Sequence, residues 1–278
     1  MSKPVSVLDV MAAKGRRKVV EVTAYDYPTG LLAEQAEVDV VLVGDSLGMV
    51  VLGYDDTIPV TMEDMIHHCA ATVRAAKTPL VVCDLPFMSY QVSVEQACAN
   101  AGRLMQEGGA GAVKLEGGRD FAPHVARIVK AGIPVQGHLG LTPQSVNVFG
   151  GFRIQGKSAE AVRALIDDAK ALEDAGAFSI VIEGIPVEAA QLVTEAVSIP
   201  TIGIGAGVAT DGQVLVMHDL LGLFERFVPR FVKRFGETAQ YCREALIAYR
   251  DEVRDGTFPG PEHTFHMPEG ALDGFDAS

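Results

Sequence analysis

Five strand-like segments in this 278-residue chain each end in an ionisable side chain. Val40-Val41-Leu42-Val43-Gly44 leads to Asp45, Leu80-Val81-Val82-Cys83 to Asp84, and Ala112-Val113-Lys114-Leu115 to Glu116. Val135-Gln136-Gly137 delivers His138, and Ser179-Ile180-Val181-Ile182 delivers Glu183. A single acid after a buried strand is more often a turn former or helix cap than a functional group, but the recurrence describes an active-site rim. Asp45, Asp84 and Glu116 end three successive strands, so three hard oxygen donors crowd together and repel unless a cation neutralises them. Magnesium suits this set, because it takes a few carboxylates and keeps positions for water and substrate oxygens. Zinc would want more His or Cys.

A metal held there could chelate a 2-oxo acid through its carboxylate and keto oxygens and acidify the neighbouring carbon by stabilising the enolate. A base must then take the proton. Glu183, after a strongly apolar strand, is the candidate; a surface acid is the alternative. Lys114 and Glu116 are two apart on a strand and share a face, so they either address the same mouth or form a local ion pair. His138 could hydrogen-bond the substrate or Glu183, or serve as packing. Ser46 could offer its hydroxyl or backbone N–H to a substrate carboxylate, or cap the next helix.

The elements that must position these groups follow from the same runs. Apolar stretches without polar alternation suit strands buried on both faces of a parallel sheet. A short amphipathic helix, Ser6 to Lys14, precedes strand one (Lys18 to Tyr25) and is placed to plug a barrel floor. Helices are predicted over Thr29 to Glu37, from a cap at Thr61 with Asp64 three residues on through Ala76, and over Val94 to Glu107. Further helices cover Phe121 to Ala131, Ser158 to Ala175, and Pro186 to Val197. Strand seven is Thr201 to Gly205, and strand eight lies in Gln213 to His218, followed by helices within Phe227 to Val253. The loop Gly140 to Gly156 is long enough to suggest function. Alternating βα units, about eight of them with no break in composition, predict one (β/α)8 TIM barrel spanning 1–278 with an N-terminal helix and extra C-terminal helices. From about Gly256 the chain is rich in Pro, Gly and acid and is expected to be extended.

The net charge of −13 opposes binding to nucleic acid or anionic membranes. Cys69, Cys83, Cys98 and Cys242 form no CxxC pair, and the start, Met1-Ser2-Lys3-Pro4, lacks an apolar signal core, so a reduced, cytoplasmic protein is expected, with the cysteines as packing residues. No apolar run approaches the ~18 residues of a membrane span. Two tempting motifs fail. Gly203-Ile204-Gly205-Ala206-Gly207-Val208 looks like a nucleotide loop, but Thr210 stands where GxGxxG needs its last Gly; a phosphate site after strand seven stays open. His67 and His68 are adjacent on a helix and point different ways.

The runs Thr23-Ala24-Tyr25-Asp26-Tyr27, Gly44-Asp45-Ser46-Leu47-Gly48, Asp84-Leu85-Pro86-Phe87-Met88, Lys114-Leu115-Glu116-Gly117-Gly118 and Gly137-His138-Leu139-Gly140-Leu141-Thr142-Pro143-Gln144-Ser145 resemble the ketopantoate hydroxymethyltransferase family. So do Gly203 to Gly207 and Val216-Met217-His218-Asp219, and the likeness spans roughly Val20 to His266. The resemblance implies a barrel enzyme that moves a hydroxymethyl group from 5,10-methylenetetrahydrofolate to 3-methyl-2-oxobutanoate, forming 2-dehydropantoate for pantothenate and coenzyme A synthesis. It implies Asp45 and Asp84 as magnesium ligands with Glu116 beside them, Ser46 and Lys114 as oxo-acid contacts, His138 in the site, Glu183 as base, and a homo-oligomer, commonly a decamer in bacteria. Gly184-Ile185-Pro186 departs from the Cys or other small residue that often follows Glu183 in the family, with no functional change expected.

Three rivals are weighed. One is a metal-dependent barrel of the isocitrate lyase and phosphoenolpyruvate mutase group. Another is an aldolase with Lys114 as Schiff-base nucleophile. The last is a non-enzymatic scaffold, which would have no need of ionisable strand ends around one mouth.

Overall fold

Strands without polar alternation require apolar partners on both faces, and a closed barrel wrapped by helices supplies them. The computed structural model describes residues 3–276; Met1, Ser2, Ala277 and Ser278, which belong to the start and tail considered above, lie outside the described residues. The strands are β1 (Val19–Thr23), β2 (Val40–Val43), β3 (Leu80–Asp84), β4 (Ala112–Glu116), β5 (Val135–Gly140), β6 (Ser179–Glu183), β7 (Thr201–Ile204) and β8 (Gly212–Leu215). Each pairs in parallel with the next, and β8 returns to β1 with Val19 opposite Gly212, closing the barrel in sequence order. The (β/α)8 expectation is borne out.

Side-chain alternation divides the strand residues into two cores. Val41, Val43, Val81 and Val113 join the helices in an outer core, whereas Val40, Leu42, Leu80, Val82 and Ala112 fill the barrel interior. Val10 and Ala13 belong to that inner cluster, so the N-terminal helix Val7–Met11, capped by Ser6, plugs the barrel floor as expected. The predicted capping box also forms: Asp64 N–H donates to Thr61 Oγ1 at 3.1 Å and Thr61 N–H to Asp64 Oδ2 at 3.0 Å.

Several boundaries differ from the sequence reading. β8 stops at Leu215, and His218 lies in the short helix Met217–Leu220, because Met217 N–H turns to Thr23 Oγ1 (2.9 Å) rather than to the ladder. Of the helices expected within Phe227 to Val253, only one forms, Thr238–Asp255; residues 227–236 run irregularly, consistent with the missing N–H of Pro229. The loop after β5 contains a helical turn, Val146–Phe149, closed by Gly150 at φ +65°. The tail carries a 3₁₀ turn at Pro261–His263. Cys69 and Cys83 are buried, but Cys242 is exposed on a helix that buries none of its residues, which corrects its reading as packing.

One buried acid escaped the sequence reading. Glu21 of β1 points into the barrel, where Gln136 Nε2 donates to its Oε2 at 3.2 Å and to Ser179 Oγ at 3.1 Å. Glu21 Oε1 and Gln136 Oε1 both lack a donor. Burial pushes the Glu21 carboxyl up from 4.5 to about 7, against the opposing pull of Gln136 and Lys114. Between those values the unfolded chain releases a proton that the native protein retains. Stability from this group therefore falls as pH rises from about 4.5 to about 7 and is level outside that window. Each pH unit across the window is worth about 1.4 kcal/mol, so Glu21→Gln should gain about 3 kcal/mol on the parent from its acidic to its neutral end. Urea unfolding from about pH 4 to about pH 8 checks this, and parallel stability curves for the two proteins would refute it.

Candidate active site

The register carries the sequence candidates to one end of the barrel. Asp84 on β3 is the cross-strand neighbour of Lys114 on β4, Glu116 that of His138 on β5, and Gly140 that of Glu183 on β6. Asp45 and Ser46 follow β2 after Gly44. With Asp84, Lys114, Glu116, His138 and Glu183 they line a single cavity of about 1130 Å³. Close approach there needs Gly44, since a Cβ at that position would sit 2.9 Å from Ser46 Oγ and 3.4 Å from Asp84 Oδ2.

A continuous chain of contacts runs across the floor of this cavity. Lys114 Nζ lies 3.0 Å from Asp84 Oδ1 and 3.2 Å from His138 Nδ1. Because an ammonium can only donate, His138 Nδ1 accepts, which assigns the ring proton to Nε2. That nitrogen faces Glu183 Oε2 at 3.1 Å, close but out of line for a hydrogen bond. Burial, helped by the Lys114 charge, pushes the His138 pKa down and keeps the ring neutral. Burial also opposes the charge on Lys114, but Asp84, Glu116 and Asp45 outweigh it and hold the pKa up. Ser46 makes no side-chain helix cap; its Oγ meets the Tyr25 hydroxyl at 2.8 Å, and the residue lines the cavity.

The three carboxylates repel as expected. Burial first, then Asp84 and Glu116, raises the Asp45 pKa well above its usual range, and burial raises Glu116 to about 8. Among the described residues, however, no three His, Cys, Asp or Glu side chains converge closely enough to hold a metal by themselves. Asp45 N–H donates to Asp84 Oδ2 at 3.0 Å, while Glu116 is drawn aside by Gln144 N–H, 3.0 Å from its Oε2. The donor set still fits magnesium, which commonly uses one or two carboxylates and fills its octahedron with water and substrate oxygens. Asp84 Oδ1 is a buried hard oxygen that accepts no aligned hydrogen bond and has the Lys114 ammonium beside it, on a residue that lines the cavity.

Residues without a sequence-level role complete the site. Gln144 Nε2 donates to Asp45 Oδ2 at 2.8 Å and to the Leu85 carbonyl at 3.0 Å, and its Oε1 accepts from Tyr90 Oη at 3.0 Å. Asp219, buried beyond β8, is raised to about 6 by burial and also lines the cavity. Both fall within runs that carried the family resemblance, but nothing in their spacing showed a contact 99 residues away. In the glycine turn after β7, Phe231 packs on Gly205, where a Cβ would lie 2.7 Å from its ring, and Gly205 and Gly207 line the cavity. His68 Nδ1 meets the Tyr25 carbonyl and takes no part in the site.

A closed parallel barrel whose strand ends hold acids, a lysine and a histidine around one cavity has the architecture of a (β/α)8-barrel enzyme. In fold it matches 2,3-dimethylmalate lyase, a member of the PEP mutase/isocitrate lyase superfamily, at a TM-score of 0.61, with 17% identity over 96% of this chain and 93% of that one. Sequence narrows the class. The profile of the ketopantoate hydroxymethyltransferase family matches residues 4–261, and the chain belongs to that family. The 3-methyl-2-oxobutanoate hydroxymethyltransferase of Syntrophobacter fumaroxidans is 61% identical over 97% of this chain and 95% of its own length. The protein of the same name from Oleidesulfovibrio alaskensis is 54% identical over 96% and 93%.

Gln144→Leu should destabilise the protein by about 1–3 kcal/mol, because Asp45 loses a donor and Tyr90 an acceptor in a buried setting. Denaturant unfolding measures this; a change below about 0.5 kcal/mol, the usual range for surface substitutions, would deny Gln144 its clamping role.

Proposed function

We propose that this chain transfers a hydroxymethyl group from 5,10-methylenetetrahydrofolate to 3-methyl-2-oxobutanoate, giving 2-dehydropantoate and tetrahydrofolate in pantothenate synthesis. The observation that carries the reading is the contact chain from Asp84 through Lys114 and His138 to Glu183, built on one cavity floor in a member of this family. Lys114 and Ser46 would bind the oxo-acid carboxylate. Glu183 would remove the C3 proton; water would release the one-carbon unit from the two folate nitrogens, which take up its protons, and C3 would bond to that carbon, whose oxygen takes the proton back from Glu183. Neutral His138, its Nε2 proton toward Glu183, would orient the base. Asp45 and Asp84, with Glu116 nearby, would hold magnesium, which supplies Lewis-acid polarisation of the oxo acid when bound.

The Schiff-base alternative fits poorly. A lysine held in its charged form by Asp84, Glu116 and Asp45 has no free lone pair to attack a carbonyl. The exposed helix Thr238–Asp255 buries none of its residues and presents Tyr241, Leu246 and Tyr249 outward, which supports a homo-oligomer such as the decamer expected from the family. No helix among the described residues is long and apolar enough to cross a membrane.

Asp45→Asn and Asp84→Asn should each weaken magnesium-dependent binding of the oxo acid by about tenfold or more, equivalent to about 1.4 kcal/mol. Calorimetric titration checks this, and unchanged affinity in both variants would remove them from a metal site. Glu183→Gln should keep that binding yet slow exchange of the C3 proton with deuterated solvent by ~10²–10⁴-fold, the usual span of general-base catalysis. Deuterium incorporation is followed by NMR with magnesium present and folate absent; near-parental exchange would move the base elsewhere, with His138 the first suspect.

A further inference from the structure

The cavity changes character from floor to mouth. Its floor is acidic and holds the buried cation Lys114, while its outer wall is formed by residues 222–236, the irregular segment after β8. Phe227, Phe231 and Phe235 line the cavity there and are 58%, 38% and 66% exposed, large apolar faces left unfilled within the chain. Gly205 admits this segment onto the barrel, because any side chain on it would collide with Phe231. Among the same residues, Arg226 pairs with Asp55, and Arg234 with Glu237. Arg230 and Lys233 also line the cavity, but no carboxylate of the described residues pairs with either; Lys233 Nζ instead lies 4.8 Å over the Phe235 ring.

Two uncommitted cations at the mouth stand out in a chain of net charge −13. A ligand suited to this gradient has a reacting end at the acidic floor, flat aromatic rings in the middle and carboxylates at the outer end. We infer that Arg230 and Lys233 bind the glutamyl carboxylates of the folate co-substrate, with Phe227, Phe231 and Phe235 beside its rings, so that the site favours folates with longer γ-glutamyl tails. The inference rests on the hydroxymethyltransferase reading and adds to it the residues that recognise the one-carbon donor. Each exposed ion pair contributes modestly, and two acting on a multiply charged tail contribute more.

The test is calorimetric binding of tetrahydropteroate, which has no glutamate, of tetrahydrofolate with one glutamate, and of its triglutamate. The proteins are the parent and the doubly substituted Arg230→Gln/Lys233→Gln variant, with thermal unfolding confirming an intact fold. In the parent, affinity should rise by about tenfold from no glutamate to three, and the gain should shrink in added salt. The double variant should bind all three ligands alike, close to the parent's affinity for tetrahydropteroate, and the charge-conserving pair Arg230→Lys/Lys233→Arg should retain the tail preference. A double variant that keeps the parent's tail preference, or a parent that has none, overturns the inference while leaving the reaction in place. A parent that binds none of the three and fails to exchange the C3 proton of the oxo acid overturns the hydroxymethyltransferase reading, and the inference falls with it.

Discussion

The ammonium of Lys114 sits where the barrel could least tolerate its loss. Among the described residues it is the one Lys or Arg that is fully buried, and Asp84, Glu116 and Asp45 all act on it. Burying a charge costs several kcal/mol unless it is paired, and burying neighbouring carboxylates without a cation costs more. Each group is thus tolerable only because of the others. The same cation donates to His138 Nδ1 and thereby settles which nitrogen presents a proton to Glu183. The charge balance of the carboxylates and the proton facing Glu183 therefore depend on a single side chain at the centre of β4.

The barrel makes this arrangement easy in backbone terms. Alternation along parallel strands sends every second residue inward, so Lys114 and Glu116 share an inner face while Val113 and Leu115 anchor the outer one. The inner core beneath is apolar and plugged by Val10 and Ala13, which excludes water from below. The exception is Glu21 with Gln136 and Ser179, a polar patch on the inner wall that has more acceptors than donors. Such a patch weakens the fold at neutral pH but places a further titratable group within electrostatic reach of Lys114.

The division of labour between floor and mouth also follows from what each part of the chain can hold still. Strand ends are fixed by the ladders on both sides, so the ionisable groups sit there with their partners at hydrogen-bond distance. Residues 222–236 have no ladder, and recognition of a long, flexible co-substrate needs breadth more than precision. Aromatic faces and unpaired cations supply that breadth without demanding a fixed geometry.

Much of this was legible in the residue order. Strand-like segments ending in Asp45, Asp84, Glu116, His138 and Glu183, most of them runs of Val, Leu and Ile, specify buried parallel strands with ionisable groups at their carboxyl ends, because local periodicity and burial pattern are properties of neighbouring residues. The eight parallel strands, the Thr61 cap and the floor helix were readable for the same reason. What the order of residues could not show is contact between distant segments. Gln144 reaching Asp45, Tyr90 bridging to Glu116, and Phe231 covering Gly205 depend on barrel closure, which no short-range pattern encodes. Glu21, flanked by valines on β1, carried no sign of its inward course, which closure alone decided. The irregular path of residues 227–236 was likewise settled in three dimensions, where phenylalanines spaced at helical intervals cover the barrel mouth instead of forming the stripe of a helix.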